Sequence, residues 1–359
     1  MAGVATAVGI TAPAIYRHFD GKQDLLAAAI GDGLDFVLAA LATVQSAPLP
    51  EFLHVAAGSA LARRDLWTLL QRETRHLSAD QRQQVDARFA AVVRLFTSRV
   101  RLRQPGLAGP LTGLITTAVL ATLASPSVYR APLPAASQQR GLSAAAAAVC
   151  GVGLPARPVV ATGPGVTGAE YGGGHVPADR GAQVLATAVR LFAGRGYEAV
   201  SLDDIGAELG LAGPSLYYYY ATKSDILVAA LGRAADWLAA QRGAGRPLDE
   251  LVAVYTDLAV AQRLLFSVYV SEAVSLPPEA GRRIRAGIRA DVAAWSAALA
   301  RQRPQLTAEQ RLVLVHAARA VVYDVVRLGH WHDRPDLPAA LRTLVSAVLT
   351  APIEGPDVQ

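Results

Sequence analysis

Apolar residues recur at intervals of three and four along most of the chain, which is the spacing of one face of an α-helix. Residues 179–195 give a clear example, with apolar positions at Val184, Leu185, Leu191 and Phe192. Alternating β-branched runs are scarce, whereas Ala and Leu, the residues that favour helices most, are abundant. The pattern therefore predicts an all-α protein.

The residue pattern repeats after about 200 residues. Residues 4–26 match 205–227 at an offset of 201, and this alignment brings the chain's only two lysines, Lys22 and Lys223, into register. The regions that follow match at an offset of 199, and the matched pairs include Trp67 with Phe266, Glu73 with Glu272 and Phe96 with Trp295. Because this period is too long for a solenoid, it indicates two copies of a whole domain.

The length of 359 residues suits two such copies. Between them, 151–178 holds eight glycines and four prolines, which predicts a flexible linker. We expect five segments: a truncated head at 1–37, a first helical body at 38–150, the linker at 151–178, a complete head at 179–240 and a second body at 241–351.

Composition narrows the possible functions. The net charge of +5 permits an anionic partner such as DNA. A single cysteine, Cys150, excludes an internal disulfide framework and a multi-cysteine metal site. The histidines are too scattered for a metal site, although the pair His330 and His332 could hold a stray cation. Since no nucleophile elbow, phosphate loop or paired-acid motif occurs, we expect no enzyme activity, no cofactor and no metal.

An uncharged stretch at 104–129 allows two interpretations, a membrane span or a helix buried in a bundle. The matching helix of the second copy carries Arg319 and Asp324, which do not suit lipid. We therefore expect a buried helix and no membrane. No signal peptide is recognisable at 1–10, so we expect the cytoplasm.

The second copy begins with the pattern of a helix-turn-helix. Ser201 stands three residues before Asp204, as in a helix-capping box, and a short helix would follow with Ile205 inward. Gly210 occupies the turn, and a third short helix is predicted at 213–219. Lys223 then starts a longer helix, where its charge and the local amides could reach a DNA phosphate.

The strings Ser201–Leu227 and Gly9–Leu26 resemble the head of the tetracycline-repressor (TetR) family of bacterial regulators. The resemblance implies double-stranded DNA as a partner, with phosphate contacts from a tyrosine and the following lysine. Those positions match Tyr16, Lys22, Tyr217 and Lys223. It also implies base contacts from the first turns of the recognition helix, which match Thr11, Ala12 and Ala14 in the first copy and Ala212, Gly213 and Ser215 in the second.

The two heads differ in their chemistry. The first offers Thr11 as a helix cap, with Arg17 and His18 on its recognition helix, whereas the second offers no positive charge there. Tyr218 would face outward, to stack on DNA or to meet solvent. Lys223 has the alternative of a surface ion pair with an aspartate, Asp225 or Asp204. The first copy lacks the helix that should precede its head, so we expect a start codon placed too far downstream or a decayed head.

Each body should end in a pair of helices that packs against a partner, at about 111–123 with 142–152 and at about 308–331 with 337–349. The partner is either the other copy, giving an intramolecular pseudo-dimer, or a second chain in a homodimer. The resemblance also implies an effector pocket in the body, and its apolar walls suggest a small apolar effector. Candidates are Trp67, Arg72, Glu73, His76, Tyr255, Tyr269, Glu272 and Trp295, each of which could instead be a core or interface residue.

These patterns predict a ligand-responsive transcriptional repressor. The alternative is a helical protein that binds ligands or partners and whose heads have lost DNA binding.

Overall fold

A computed structural model describes residues 1–130, 132–155, 179–211, 216–243, 245–328, 331 and 333–353. Within these ranges the regular structure is entirely helical, with sixteen α-helices, three short 3₁₀ turns and no strand. The prediction of an all-α protein is confirmed. Most of the predicted linker lies outside the described residues.

The first half of the chain contains eight of these helices. They are α1 (Ala2–Ala7), α2 (Ala12–Tyr16), α3 (Lys22–Ala42), α4 (Leu49–Ala62), α5 (Arg64–Arg72), α6 (Ala79–Arg103), α7 (Gly109–Ala124) and α8 (Ala135–Cys150). The last of them begins seven residues before the predicted start at Leu142. Its polar first turns are held by Gln138, which is buried and donates to the carbonyl of Leu133 at 2.7 Å.

The second half contains the other eight. They are α9 (Arg180–Arg195), α10 (Leu202–Glu208), α11 (Lys223–Gln241), α12 (Leu248–Ala261), α13 (Arg263–Glu272), α14 (Pro278–Gln302), α15 (Ala308–Leu328) and α16 (Leu337–Leu349). The bounds of α4 and α12, and those of α6 and α14, are both 199 residues apart. Helix order and helix bounds therefore follow the offset at which the sequence repeats.

The two halves pack against each other through α7, α8, α15 and α16. The contact between α7 and α15 is the most extensive between any two described helices, and α8 contacts both α15 and α16. One apolar core runs through both bodies, and it includes Ile115 and Val119 of α7, Leu142 of α8, Val322 of α15 and Leu344 of α16. The terminal helix pairs predicted for each body thus form a four-helix arrangement within one chain.

Two described helices are long and apolar enough to cross a membrane, α3 and the segment Gly109–Ser127 that contains α7. From the sequence, only the second of these was considered as a possible membrane span. In the fold, α7 packs along α15, a helix whose Arg319 and Asp324 are both buried. This packing agrees with the interpretation of α7 as a helix inside a bundle.

The two heads differ in how many apolar side chains they bury. In the second head α9, α10 and α11 enclose a core that includes Val184, Phe192, Ile205 and Leu216, and this core continues onto Val268 of α13. In residues 1–21 only Ala5 and Ile15 are buried. The first head therefore has little core of its own.

Candidate nucleic-acid interface

The same glycine turn follows the short helix α1 of the first head and the short helix α10 of the second. Gly9 has φ +70° and Gly210 has φ +63°, values in the left-handed region that glycine adopts without a steric penalty. The residue after each glycine donates to a carbonyl five residues back, Ile10 to Ala5 at 3.0 Å and Leu211 to Gly206 at 2.9 Å. Two segments about 200 residues apart thus have the same turn.

Capping hydrogen bonds fix the helices around the second turn. The Ser201 hydroxyl accepts from the amide of Asp204 at 3.0 Å, and the Asp204 carboxylate accepts from the amide of Ser201 at 2.8 Å. The Ser201 hydroxyl also donates to the Asp204 carboxylate, and this bond, together with the one from the Ser201 amide, holds the pKa of Asp204 below its usual value. The capping box predicted for α10 is therefore present, and Thr222 and Asp225 form an equivalent one at the start of α11.

The first head exposes its candidate DNA contacts to solvent. Thr11 occupies the N-cap position of α2, but its hydroxyl makes no capping bond. Tyr16, which ends α2, is 54% exposed, and Arg17 and His18 follow it as exposed residues. Lys22 is exposed at the start of α3. All five side chains are therefore accessible, and two of them carry a positive charge.

The second head offers tyrosines rather than cations. Tyr217 is 55% exposed and Tyr218 is 87% exposed, so both rings can be reached from solvent. The rings of Tyr218 and Tyr219 contact each other edge to face at 5.4 Å. Ser215 lies outside the described residues, as do its neighbours at 212–214.

Lys223 is engaged inside the second head. Its ammonium donates to the carbonyl of Tyr197 at 2.6 Å and lies 4.3 Å from the centroid of that residue's ring. Asp225 and Asp204, the partners considered from the sequence, each bond to a neighbouring hydroxyl instead. Lys223 and Tyr217 both line an open groove on this head. No pattern in the sequence indicated the contact with Tyr197, since a carbonyl acceptor has no residue signature.

One of the candidate effector residues lines a cavity. A cavity of about 80 Å³ lies in the first body among apolar side chains that include Leu34, Ala56, Phe96 and Leu120, and Trp67 forms part of its wall. Arg72 and Glu73 follow in the same segment without lining it.

The same Trp67 connects this cavity to the other half of the chain. Its indole nitrogen donates to Asp324 of α15 at 3.2 Å, and Gln71 donates to the same carboxylate at 3.0 Å. Asp324 is 2% exposed, and its burial raises the pKa of the carboxyl group above its usual value. Movement of Trp67 would therefore leave a buried carboxylate with one donor fewer.

The candidates of the second body form a packed cluster. Tyr255 contacts the Trp295 ring at 5.6 Å and the Phe266 ring at 5.7 Å. Glu272 is 1% exposed and is bonded to Arg75 of the first body, so it joins the two halves.

Among the described residues no group of His, Cys, Asp and Glu side chains is placed to hold a metal ion. His330 and His332 lie outside those residues.

Comparison with known proteins points to one family. The family model for bacterial regulatory proteins of the tetR family matches residues 1–29 and 184–230, which contain the two glycine turns. No curated protein matches the chain.

Several solved structures are similar in fold. A TetR-family transcriptional regulator from Bordetella parapertussis 12822 has a TM-score of 0.44 and 18% identity, covering 49% of this chain and 96% of its own. The ketosteroid transcriptional regulator KstR2 of Mycobacterium tuberculosis has a TM-score of 0.43 and 21% identity, covering 48% and 94%. The TetR-family regulator PfmR from Thermus thermophilus has a TM-score of 0.41 and 21% identity, covering 50% and 100%.

Proposed function

Because the chain belongs to the TetR family of bacterial regulatory proteins, we propose that it is a ligand-responsive transcriptional repressor with two unequal DNA-binding heads on one chain. The observation that carries this proposal is the shared backbone of the two matched segments. In each, a short helix ends at a left-handed glycine, and the same hydrogen bond closes the turn. This is the arrangement that presents a recognition helix to the major groove. Such a regulator works in the cytoplasm.

The exposed side chains suggest a division of labour between the heads. In the first head Arg17 and His18 offer hydrogen-bond donors to base edges, with Thr11 at the start of the helix and Tyr16 and Lys22 beside the phosphates. In the second head Tyr217 and Tyr218 are exposed, while Lys223 is held by a carbonyl. We therefore assign sequence reading mainly to the first head and DNA-backbone contact to the second.

The packing of α7 and α8 against α15 and α16 supports an intramolecular pseudo-dimer. Two different heads on such a unit suit an operator with two different half-sites. The cavity beside Trp67 suits a small apolar effector, because nearly all of its walls are hydrocarbon. Through the hydrogen bond from Trp67 to Asp324, a ligand there would act on the helix that joins the two halves.

The proposal is tested by selecting bound sequences from random duplex DNA with the purified chain, and by measuring affinity as a function of salt. We expect an asymmetric selected site and affinity that falls steeply with salt. Arg17→Ala should weaken binding to the selected site about tenfold and relax base preference at one half-site. Lys22→Ala should weaken binding to all sequences alike and reduce the salt slope by about one.

The matched control is Arg101→Ala, which removes an exposed positive charge from α6 far along the chain. It should leave both the selected site and the affinity unchanged. The proposal fails if no sequence is enriched and no salt-dependent binding appears at low salt. That result would favour the second candidate, a helical ligand- or partner-binding protein, for which the scarcity of buried residues in the first head is the supporting observation.

A further inference from the structure

Buried carboxylates in the second half of the chain are consistently paired with arginines. Five of them are at most 9% exposed. Each is bonded to a different arginine, and the pairs are Asp257 with Arg342, Glu272 with Arg75, Asp291 with Arg242, Asp324 with Arg327 and Asp336 with Arg334. This pairing follows the rule that a charge inside a protein needs a counter-charge, because burying a charge alone is strongly unfavourable.

Arg319 of α15 departs from this rule. It is 9% exposed, and it is the only buried cationic side chain in the part of the chain that the structure describes. No hydrogen bond or ion pair to its guanidinium occurs among the described residues, and its Nη1 atom is fully buried without an acceptor. Every nearby buried carboxylate is already bonded to another arginine.

Two aromatic rings lie against the guanidinium of Arg319 instead. Its central carbon lies 4.1 Å from the centroid of the Tyr255 ring and 5.7 Å from that of the Trp295 ring. Such contacts stabilise a desolvated cation, but by less than burying an unpaired charge costs. They also provide no acceptor for the fully buried Nη1 donor. The two rings therefore contact a cation with a buried N–H donor that makes no hydrogen bond.

Packing alone does not require an arginine at this position. In the first body the position 199 residues earlier is Leu120, which borders the apolar cavity. The equivalent helix of the first body therefore packs with a leucine at this position. The arginine in the second body calls for an explanation other than packing.

The surroundings of Arg319 on one side are also positively charged. Tyr269 lies near it, and the charges of Arg72, Arg285 and Arg319 oppose the rise that burial causes in the pKa of the Tyr269 phenol. Arg72 comes from the first body and Arg285 is exposed on α14. Positive charge thus extends from the surface toward the buried guanidinium, which attracts an anion.

We propose that the second body binds a small organic anion whose carboxylate pairs with Arg319 and whose apolar part packs against Tyr255 and Trp295. The ligand class is a monocarboxylate with an apolar or aromatic body. As an effector site it rests on the proposed regulatory function, but the binding itself does not depend on DNA. The two bodies then differ in chemistry, with an apolar cavity in the first and an anion site in the second.

The test compares carboxylates with their uncharged amides on the full chain without DNA. Acetate, benzoate and 2-naphthoate are titrated by calorimetry and by thermal unfolding, each beside acetamide, benzamide or 2-naphthamide. We expect at least one of the two aromatic carboxylates to bind at least tenfold more tightly than its amide and to raise Tm. Arg319→Leu, which installs the residue found at 120, should abolish this preference and raise the Tm of the free protein.

Arg282→Leu is the matched control, since it removes an exposed positive charge from α14 and should preserve carboxylate binding. Arg319→Lys should keep part of the preference for the anion. The inference is overturned if neither aromatic carboxylate binds better than its amide, if Arg319→Leu binds carboxylates like the wild type, or if Arg319→Leu lowers the Tm of the free protein. Because no DNA is present, none of these outcomes depends on whether the heads bind an operator.

Discussion

Individual glycines set the geometry of the heads, and their role differs from that of glycines inside helices. Gly210 adopts a left-handed backbone, and a Cβ added there would meet no atom within 4 Å. The only obstacle to a larger residue is therefore the backbone conformation itself. Gly232 also has open space around it, but it lies in the middle of α11 with ordinary helical geometry.

We predict that Gly210→Ala destabilises the second head by about 1 kcal/mol, because a left-handed conformation is costly for a residue with a Cβ. Gly232→Ala should stabilise the chain by up to about 1 kcal/mol, because alanine is the better helix former. Chemical unfolding of both variants measures the two effects. Equal effects of the same sign would contradict the assignment of Gly210 to the turn.

The burial of His316 in α15 leads to a second prediction at the scale of single residues. Its ring stacks on that of Tyr129 from the first body at 4.1 Å, and burial together with the charge of Arg319 lowers its pKa from 6.5 to about 4. The folded protein thus keeps this histidine neutral while the unfolded chain takes up a proton. Its contribution to stability is complete above pH 6.5 and is lost as pH falls toward 4, by roughly 3 kcal/mol in all.

We expect His316→Phe, which can still stack on Tyr129, to flatten the stability profile between pH 6.5 and 4. Denaturant unfolding of the wild type and the variant across this range gives the difference. Comparing the two proteins cancels the contribution of Asp324, whose raised pKa acts in the opposite direction. Parallel profiles would show that His316 does not titrate as described.

At the scale of helices, the two heads have similar glycine turns but differ in how many apolar side chains they bury around them. The second head packs α9, α10 and α11 around a core that continues into the second body. The first head consists of α1 and α2 with two buried side chains in its first 21 residues, and Val4, Val8 and Ile10 are each more than 40% exposed. Local stability depends on buried apolar contact, so the two heads should open at different rates.

We therefore predict faster amide hydrogen exchange in α1 and α2 than in α9 and α10. Hydrogen exchange followed by mass spectrometry measures both heads in one sample, so each serves as the control for the other. Binding of the selected DNA should slow exchange in the first head more than in the second. Equal protection of the free heads would mean that the first head is stabilised by contacts other than those described.

The sequence predicted the helices of the second head because their apolar spacing agrees with their capping and turn residues. Ser201 and Asp204 capped α10 as expected, and Gly210 marked the turn. Contacts between distant segments were not predictable in this way. The capture of Lys223 by the carbonyl of Tyr197, and the isolation of Arg319 among aromatic rings, depend on tertiary packing that leaves no local pattern.

At the scale of the whole molecule, the two bodies share one apolar core and several polar bridges. Trp67 and Gln71 of the first body bond to Asp324 of the second, and Arg75 bonds to Glu272. The terminal helix pairs of the two bodies, α7 with α8 and α15 with α16, pack against each other within the same chain.

We therefore expect a monomer of 37.5 kDa by light scattering at micromolar concentration. A protease site inserted between residues 160 and 170 offers a further test. After cleavage the two fragments should elute together, because the core between the bodies persists. Cleavage at a site placed after Ile353 serves as the control for the protease. Separation of the fragments, or a mass of two chains, would contradict pairing within the chain.

The joining of α7 and α8 to α15 and α16 within one polypeptide has a consequence for dosage. A regulator assembled from two separate chains loses its active form in proportion to the square of its concentration when it is scarce. Here the second half is always present at the effective concentration set by the connecting segment. Operator occupancy would then respond linearly to the number of molecules in the cell, even when only a few copies are made.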